Sequence, residues 1–458
     1  MKKCFCFLLT LLAGCIPAVA QDITGDWYGT LDFGMQRLAL VFHIDRDGEA
    51  FTTVMDSPDQ HAEGLATTAT TFDGTTLKVS SAAIGMTYEG RLAADSLQGT
   101  FRQGGLAMPL TFTRRQPERR RPQLPQPPFP YISEEVTFPN PSAGIALAGT
   151  LTVPEGEGPF PAAVLITGSG AQNRDEELFG HKPFFVLADY LTRHGIAVLR
   201  YDDRGTASSE GDYAAASIQD FASDAASALA WLRTRPEIDA SAAGFIGHSE
   251  GGIIAYMLAA GDNGAAFIVS MAGPAVAGSE FMRVQRRLIA ERTGLPEAAF
   301  RQNEQLVESM TEITDRYSYD YIESHLDSLA ATMLPNFVRD DPHAAEQIKA
   351  GLLQSASPEM VSLLRYDPTD DLARIACPVL ALVGTRDVQV PPSVVEAPLR
   401  ERINPAAELT VHVYPELNHL FQHAETGLPT EYAVIEETIA PEVLADIATW
   451  IKKVTSRP

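Results

Sequence analysis

The pattern of apolar and polar positions divides the chain into two regimes. Between residues 22 and 114, apolar side chains alternate with polar ones in short runs such as Gly25–Leu31, Arg37–Ile44, Ala50–Met55, Thr75–Ser80, Met86–Leu92, Leu97–Arg102 and Leu106–Thr113. A period of two marks half-buried strands. Asp-Gly, Ala-Asp and Gly-Gly steps between the runs supply the turns. About seven or eight short strands with no helix between them predict a small antiparallel β domain, a barrel or a sandwich. After Tyr131 the pattern changes. Ala162–Ile166, Ile196–Leu199, Ala266–Ser270 and Val379–Gly384 are continuous apolar runs, as expected of strands covered on both faces. Leu409–Tyr414 reads as a final strand. Helical periods separate these runs, notably Phe184–His194 and Ile218–Arg233, and Pro441–Val454 closes the chain. This alternation predicts an α/β fold with a doubly wound, mostly parallel sheet over residues 131–458. Between about 278 and 368 it lapses into charge-rich helices without a buried strand. A helical lid inserted over the C-terminal ends of the strands is the expectation there.

Composition refines the picture. The chain has 458 residues, 45% apolar and 21% charged, which suits two or three globular domains. Residues 115–130 join the two regimes. Arg119-Arg120-Arg121 and six prolines from Pro117 to Pro130 predict a stiff, extended, solvated linker. Arginines in a row can bind nucleic acid, but a net charge of −24 repels phosphate backbones and anionic membrane surfaces, so no nucleic-acid partner is expected. Residues 1–20 read as a signal peptide, with Lys2-Lys3, an apolar stretch from Phe5 to Ile16, and Ala18-Val19-Ala20 as the cleavage site. Export to the periplasm or beyond follows. The apolar stretch is too short for a membrane span. Leu12-Ala13-Gly14-Cys15 leaves a second outcome open, a lipid anchor on Cys15. Removal of the segment takes Cys4, Cys6 and Cys15 with it and leaves Cys377 as a packing residue. The loss of Lys2 and Lys3 takes the charge from −24 to −26.

The candidate chemistry centres on Gly247-His248-Ser249-Glu250-Gly251. It lies between the apolar run Ala243–Ile246 and the helical run Ile253–Ala260. Glycine, x, serine, x, glycine in a strand–turn–helix setting lifts the serine hydroxyl clear of a sheet. The bland alternative is a glycine-rich turn that happens to carry serine; the flanking strand and helix favour a nucleophile. A serine hydroxyl needs a base, and the base needs an orienting carboxylate. His419, just past the last strand, is the preferred base. His423 is the runner-up, and His412 lies inside the strand. Asp387 leaves the strand ending at Gly384 and is the preferred acid; Asp370 and Asp371 precede that strand. The oxyanion donors expected are the N–H groups of Glu250 and Ser169, with Gly170 next. The last two lie in the loop Thr167–Gln172. That loop lacks the third glycine of a dinucleotide site and the Gly-Lys-Ser/Thr of a phosphate loop. No His-Glu-x-x-His and no Cys/His cluster occurs, so neither cofactor nor metal is expected. His43 and His61 stand alone in the β domain and read as structural or surface residues.

Residues 131–454 resemble an α/β-hydrolase, and more narrowly the EstD-type bacterial carboxylesterases, which are related to dienelactone hydrolase-like and serine aminopeptidase-like enzymes. The stretches that carry the resemblance are Gly168-Ser169-Gly170-Ala171-Gln172-Asn173-Arg174-Asp175-Glu176, Tyr201-Asp202-Asp203-Arg204-Gly205, Gly247–Gly251, Gly384–Pro391 and Asn418-His419. Ala171 and Asn173 stand where the family usually carries Pro and Asp. The resemblance implies hydrolysis of short acyl esters, small molecules, through a Ser249–His419–Asp387 triad and an acyl-enzyme, behind an N-terminal β domain. A serine peptidase of the aminopeptidase or prolyl-oligopeptidase type is the nearest alternative. It would need lid carboxylates for a substrate amine, for which Glu280, Glu291, Glu304 and Glu308 are candidates. A non-catalytic ligand-binding protein on the same scaffold is the other. The β domain is open to three roles: binding a ligand, covering the site, or joining two copies in a homodimer.

Overall fold

The computed structural model describes residues 22–32, 37–48, 50–58, 62–103, 106–116, 120–261, 264–333 and 342–456. The signal-peptide reading, its three cysteines and His61 fall outside these residues. Among the described residues no helix is long and apolar enough to cross a membrane. The chain divides into two compact units between Glu118 and Arg119.

The first unit is all β. Its strands are β1 (Gly25–Asp32), β2 (Arg37–Asp47), β3 (Ala50–Ser57), β4 (Ala62–Ala66), β5 (Ala69–Phe72), β6 (Thr76–Ser81), β7 (Met86–Ala93), β8 (Ser96–Gln103) and β9 (Leu106–Thr113). They pair antiparallel in the order β1-β2-β3-β5-β6-β7-β8-β9, and β9 returns to β1, so the ring closes as a barrel; β4 lies on β3. An eight-stranded barrel is just wide enough for side chains to fill it. Here Trp27, Phe42, Tyr88, Phe101 and Phe112 do so, each fully buried, with Phe42 stacked on Phe112 at 4.3 Å. The Tyr88 hydroxyl donates to the Leu97 carbonyl at 2.9 Å and the Trp27 indole N–H to that of Ile23 at 2.8 Å, so both polar tips in this cluster are satisfied. His43 sits half-buried between the carboxylates of Asp26 (2.7 Å) and Asp56 (2.9 Å), a surface clamp across β1, β2 and β3.

The second unit carries the mixed sheet. Two antiparallel strands, β10 (Tyr131–Asn140) and β11 (Ile145–Pro154), lead into β12 (Phe160–Ile166), α1 (Pro183–Arg193), β13 (Ala197–Tyr201), α2 (Ile218–Leu232), β14 (Ile238–His248), α3 (Glu250–Ala260) and β15 (Ile268–Met271). Six helices follow, α4 (Gly278–Arg292), α5 (Glu297–Arg316), α6 (Tyr319–Ser324), α7 (Leu326–Met333), α8 (Pro342–Ala356) and α9 (Pro358–Arg365). The sheet resumes after α10 (Thr369–Leu372) with β16 (Val379–Gly384), α11 (Glu396–Arg402) and β17 (Leu409–Tyr414), and α12 (Pro441–Thr455) closes the unit. The strand order is β10-β11-β13-β12-β14-β15-β16-β17, parallel from β13 to β17. Every residue of β13, β15 and β16 is buried, which is why these segments read as unbroken apolar runs. The inserted helices have a small core of their own, around Met310, Ile322, Ile348 and Leu352.

The segment after Arg119 differs from the solvated linker expected of its prolines. Arg121 donates to the carbonyls of Phe179 (2.7 Å), Ala433 (3.0 Å) and Ile435 (3.1 Å). Gln123 accepts from the Ile439 N–H at 3.1 Å and donates to its carbonyl at 2.6 Å. Proline-rich chain has few N–H groups of its own to pair, so these two side chains fasten it. Arg121 joins the loop before α1 to the loop before α12, and Gln123 adds a second tie to the latter. Replacing Arg121 with Ala leaves three carbonyls without their charged donor and should cost about 2 kcal/mol or more. Urea denaturation of the purified protein measures this.

Candidate active site

Four loops meet at the C-terminal edge of the sheet, where open α/β sheets bind ligands. They follow β12, β14, β16 and β17. The first begins with Thr167, the second carries Ser249, the third Asp387 and the fourth His419.

Ser249 occupies a sharp turn with φ +54 and ψ −115, a conformation that L residues adopt only under strain. The glycines around it make the turn possible. A Cβ on Gly247 would lie 1.9 Å from the Gly251 carbonyl oxygen, and one on Gly251 would lie 2.2 Å from that of Ile166. The Ser249 N–H is tied to the Met271 carbonyl at 2.8 Å, across to β15. Ser249 itself is partly exposed, whereas the residues on either side of it are buried.

Asp387 and His419 come together. The His419 Nδ1 lies 2.8 Å from Asp387 Oδ2, and both side chains are almost fully buried. Asp387 Oδ1 accepts the N–H groups of Gln389 (2.8 Å) and Val390 (2.7 Å), so the carboxylate cannot swing away. Nδ1–H donating to the carboxylate leaves Nε2 as the basic nitrogen. The other candidates lie elsewhere. His423 is half-exposed between Glu437 (2.9 Å) and Glu442 (3.4 Å), His412 faces Asp446 at 3.1 Å, and Asp371 pairs with Arg374. The lid carboxylates Glu304 and Glu291 are engaged by Arg286 (2.6 Å) and Arg287 (2.8 Å), and Glu280 and Glu308 are exposed.

The expected oxyanion donors separate into two kinds. Glu250 opens α3, so its N–H is one of the helix's orphan donors. Ser169 is exposed, and its N–H has no acceptor among the described residues. Gly170 differs: its N–H donates to Glu359 Oε1, from the start of α9, at 3.0 Å. Glu359 is absent from the reading of the sequence, because nothing in its surroundings marks it apart from other lid acids. The site of a Cβ on Gly168 would lie 3.4 Å from the Ser249 Cβ, so this loop runs directly beside the serine.

The loop is held from below by the stretch Tyr201–Gly205. Asp203 accepts from the Thr167 hydroxyl (2.7 Å) and the Gln172 N–H (2.8 Å), while Asp202 takes the Arg174 guanidinium at 2.7 Å. Glu250 turns its carboxyl inward, toward a cavity of about 10 Å³ shared with Thr167, Asp203 and Tyr213. Its Oε2 has no partner among the described residues, and the cavity has room for one water. Burial, with Glu359 and Asp203 nearby, raises the Glu250 pKa well above the usual carboxylate range.

The family described as serine aminopeptidase, S33 matches residues 182–426, more than half of the chain. The chain belongs to this hydrolase family. Ser249, Asp387 and His419 all lie within the matched region. The α/β-hydrolase fold and the EstD-type resemblance read from the sequence both hold. Esterase EstD of Thermotoga maritima is 27% identical over 308 residues, covering 67% of this chain. This hydrolase spans 66% of that relative's length. Among solved structures, a proline iminopeptidase of Mycobacterium smegmatis is 18% identical over 70% of this chain and 99% of its own, with a TM-score of 0.44. The Pyrococcus furiosus esterase Pf2001 is 15% identical over 71% of this chain and 92% of its own, with a TM-score of 0.43.

Asp203 yields a pH prediction for this hydrolase. Burial pushes its pKa up to about 8, against the pull of the Thr167 and Gln172 hydrogen bonds. The folded state therefore keeps a proton that the unfolded chain releases near 3.8. Stability from this group is present at low pH and is lost as pH rises from about 4 toward about 8. Asp203→Asn should flatten the fall in stability between about pH 4 and 8, as read by urea melts.

Proposed function

We propose that the protein is an exported serine carboxylesterase for short acyl esters. The observation that carries the reading is the buried Asp387–His419 pair, opening on the same sheet edge as the strained turn of Ser249. In this reading the Ser249 hydroxyl attacks the ester carbonyl while His419 Nε2 takes its proton. Asp387 holds the imidazole in the right tautomer and stabilises its charged form. The N–H groups of Glu250 and Ser169 receive the developing oxyanion. His419 then returns the proton to the departing alcohol, and an acyl-enzyme remains on Ser249. Water activated by His419 releases the acid and restores the serine. The likeness to an enzyme named an esterase supports the choice of esters. Ser249→Ala should lower kcat on p-nitrophenyl acetate by roughly 10⁴-fold or more with an unchanged circular dichroism spectrum. A variant that keeps its activity overturns the reading.

A second reading, an aminopeptidase, is favoured by one observation. Glu359 reaches from the lid onto the Gly170 N–H, beside Ser249, and the Glu250 and Asp203 carboxyls lie behind it. A substrate ammonium entering there would meet acids with no cationic partner among the described residues. On this reading, amino-acid p-nitroanilides are cleaved and Glu359→Gln lowers their kcat/KM at least tenfold, while p-nitrophenyl acetate turnover is unchanged. Equal effects on both substrates exclude it.

A further inference from the structure

One buried pair beside Ser249 has no role in the chemistry described above. His248, the residue before the serine, and Glu176, from the loop that precedes α1, are each 6% exposed. The His248 Nδ1 lies 2.9 Å from Glu176 Oε1, and its Nε2 lies 3.0 Å from the His419 carbonyl oxygen. The same Glu176 oxygen accepts the Gly168 N–H at 2.8 Å. We propose that Glu176 and His248 form an ion pair that positions the two loops flanking Ser249, one bearing the Ser169 N–H and the other bearing His419. The proposal rests on the esterase reading of Ser249.

The donor and acceptor roles set the charge. A carbonyl only accepts, so His248 Nε2 carries a proton. As a carboxylate Glu176 only accepts, so its Oε1 takes the His248 Nδ1–H as well as the Gly168 N–H. A ring with two N–H donors is an imidazolium, and Glu176 is its counterion. Burial opposes the charged ring, but the Glu176 carboxylate, the His419 carbonyl and the more distant Asp387 outweigh it and raise the His248 pKa. The surroundings keep water away: Pro183, Phe184, Met271, Leu420, Phe421 and Ile439 line the remaining space. Glu176 also holds a φ of +51, rare for a residue with a Cβ, so the chain accepts backbone strain to keep this carboxylate in place.

Three moving parts converge on this pair. Gly168 lies in the oxyanion loop, His248 is bonded covalently to Ser249, and the His419 backbone carries the base. The rings of His248 and His419 lie 4.8 Å apart between centroids. Asp387 fixes the His419 ring from one side; His248 fixes its backbone from the other. Neither Glu176 nor His248 needs to touch substrate, so both are positioning residues. Loosening them shifts reacting groups by fractions of an ångström, and a 1 Å misplacement costs about 10²-fold in rate.

The test compares Glu176→Gln, His248→Gln and the double variant with the full-length protein on p-nitrophenyl acetate. Each single variant should lose about 10²-fold in kcat with KM within about twofold. The double variant should be no worse than either single one, because the two residues act as a unit. In the unmodified protein, imidazole ¹⁵N spectra should show both His248 nitrogens protonated at pH 8. A fluorophosphonate probe should label Ser249 in the parent and, more slowly, in each variant. Near-parental kcat, losses that multiply in the double variant, or a neutral His248 ring each overturn the proposal while leaving the Ser249 reading intact. A parent protein that the probe does not label at Ser249 overturns both.

Discussion

The close approach of backbone to backbone around Ser249 is the constraint on which the rest of the second unit depends. Gly247 meets Gly251, Gly251 meets the end of β12, and Gly252 meets Gly273 after β15, where a Cβ would lie 2.6 Å from the Gly273 Cα. At these points the start of α3 meets the ends of β12, β14 and β15 through glycine backbone. The turn that results holds Ser249 at positive φ, at a cost of order 1–3 kcal/mol. The buried sheet on either side offsets that strain, because unfolding the turn would also unseat β14 from β12 and β15.

Charge around this turn is distributed unevenly, and burial gives the unevenness its force. Carboxylates below and behind the loop after β12 fall into two groups. Asp202 and Glu176 have cationic partners in Arg174 and His248 and act as braces. Asp203 and Glu250 have none among the causes of their shifts, and burial drives both toward the neutral form. A chain with a formal charge of −24 thus sets buried ion pairs into the scaffold of the loops. The side of the site that faces Glu359 and Glu250 carries carboxyl groups with no cationic partner among the described residues. That asymmetry bears on which substrates enter, whereas the braces bear on how well the reacting groups are aligned.

The loops are also stitched to one another. Arg121 and Gln123 bind the loops before α1 and before α12. His181 bridges the same pair through Thr438 and the Tyr432 carbonyl, both at 2.9 Å. Gln422, three residues after His419, donates to the Glu437 carbonyl at 2.9 Å. Loops fixed only at their ends would sample many conformations. Cross-bonds among buried polar side chains remove that freedom, and each bond is worth more where water is excluded.

Strand and helix identity, the division near residue 118 and the class of the sheet were legible along the chain, because side-chain period and burial on one or both faces are local consequences of the elements themselves. The serine turn was legible for the same reason: its glycines sit within five residues of one another and answer a clash inside the turn. Asp387 and His419 could be picked as residues that leave strands, but their meeting at 2.8 Å joins positions 32 apart and belongs to the folded sheet. Barrel against sandwich was undecidable in sequence, since an alternating strand reads alike in both; the return of β9 to β1 and the aromatic filling decide it. Glu359, the Glu176–His248 pair and the fastening of Arg121 carry no local signature. Each depends on long-range burial that turns an ordinary polar side chain into the partner of one distant atom, and only the tertiary structure brings such atoms within reach.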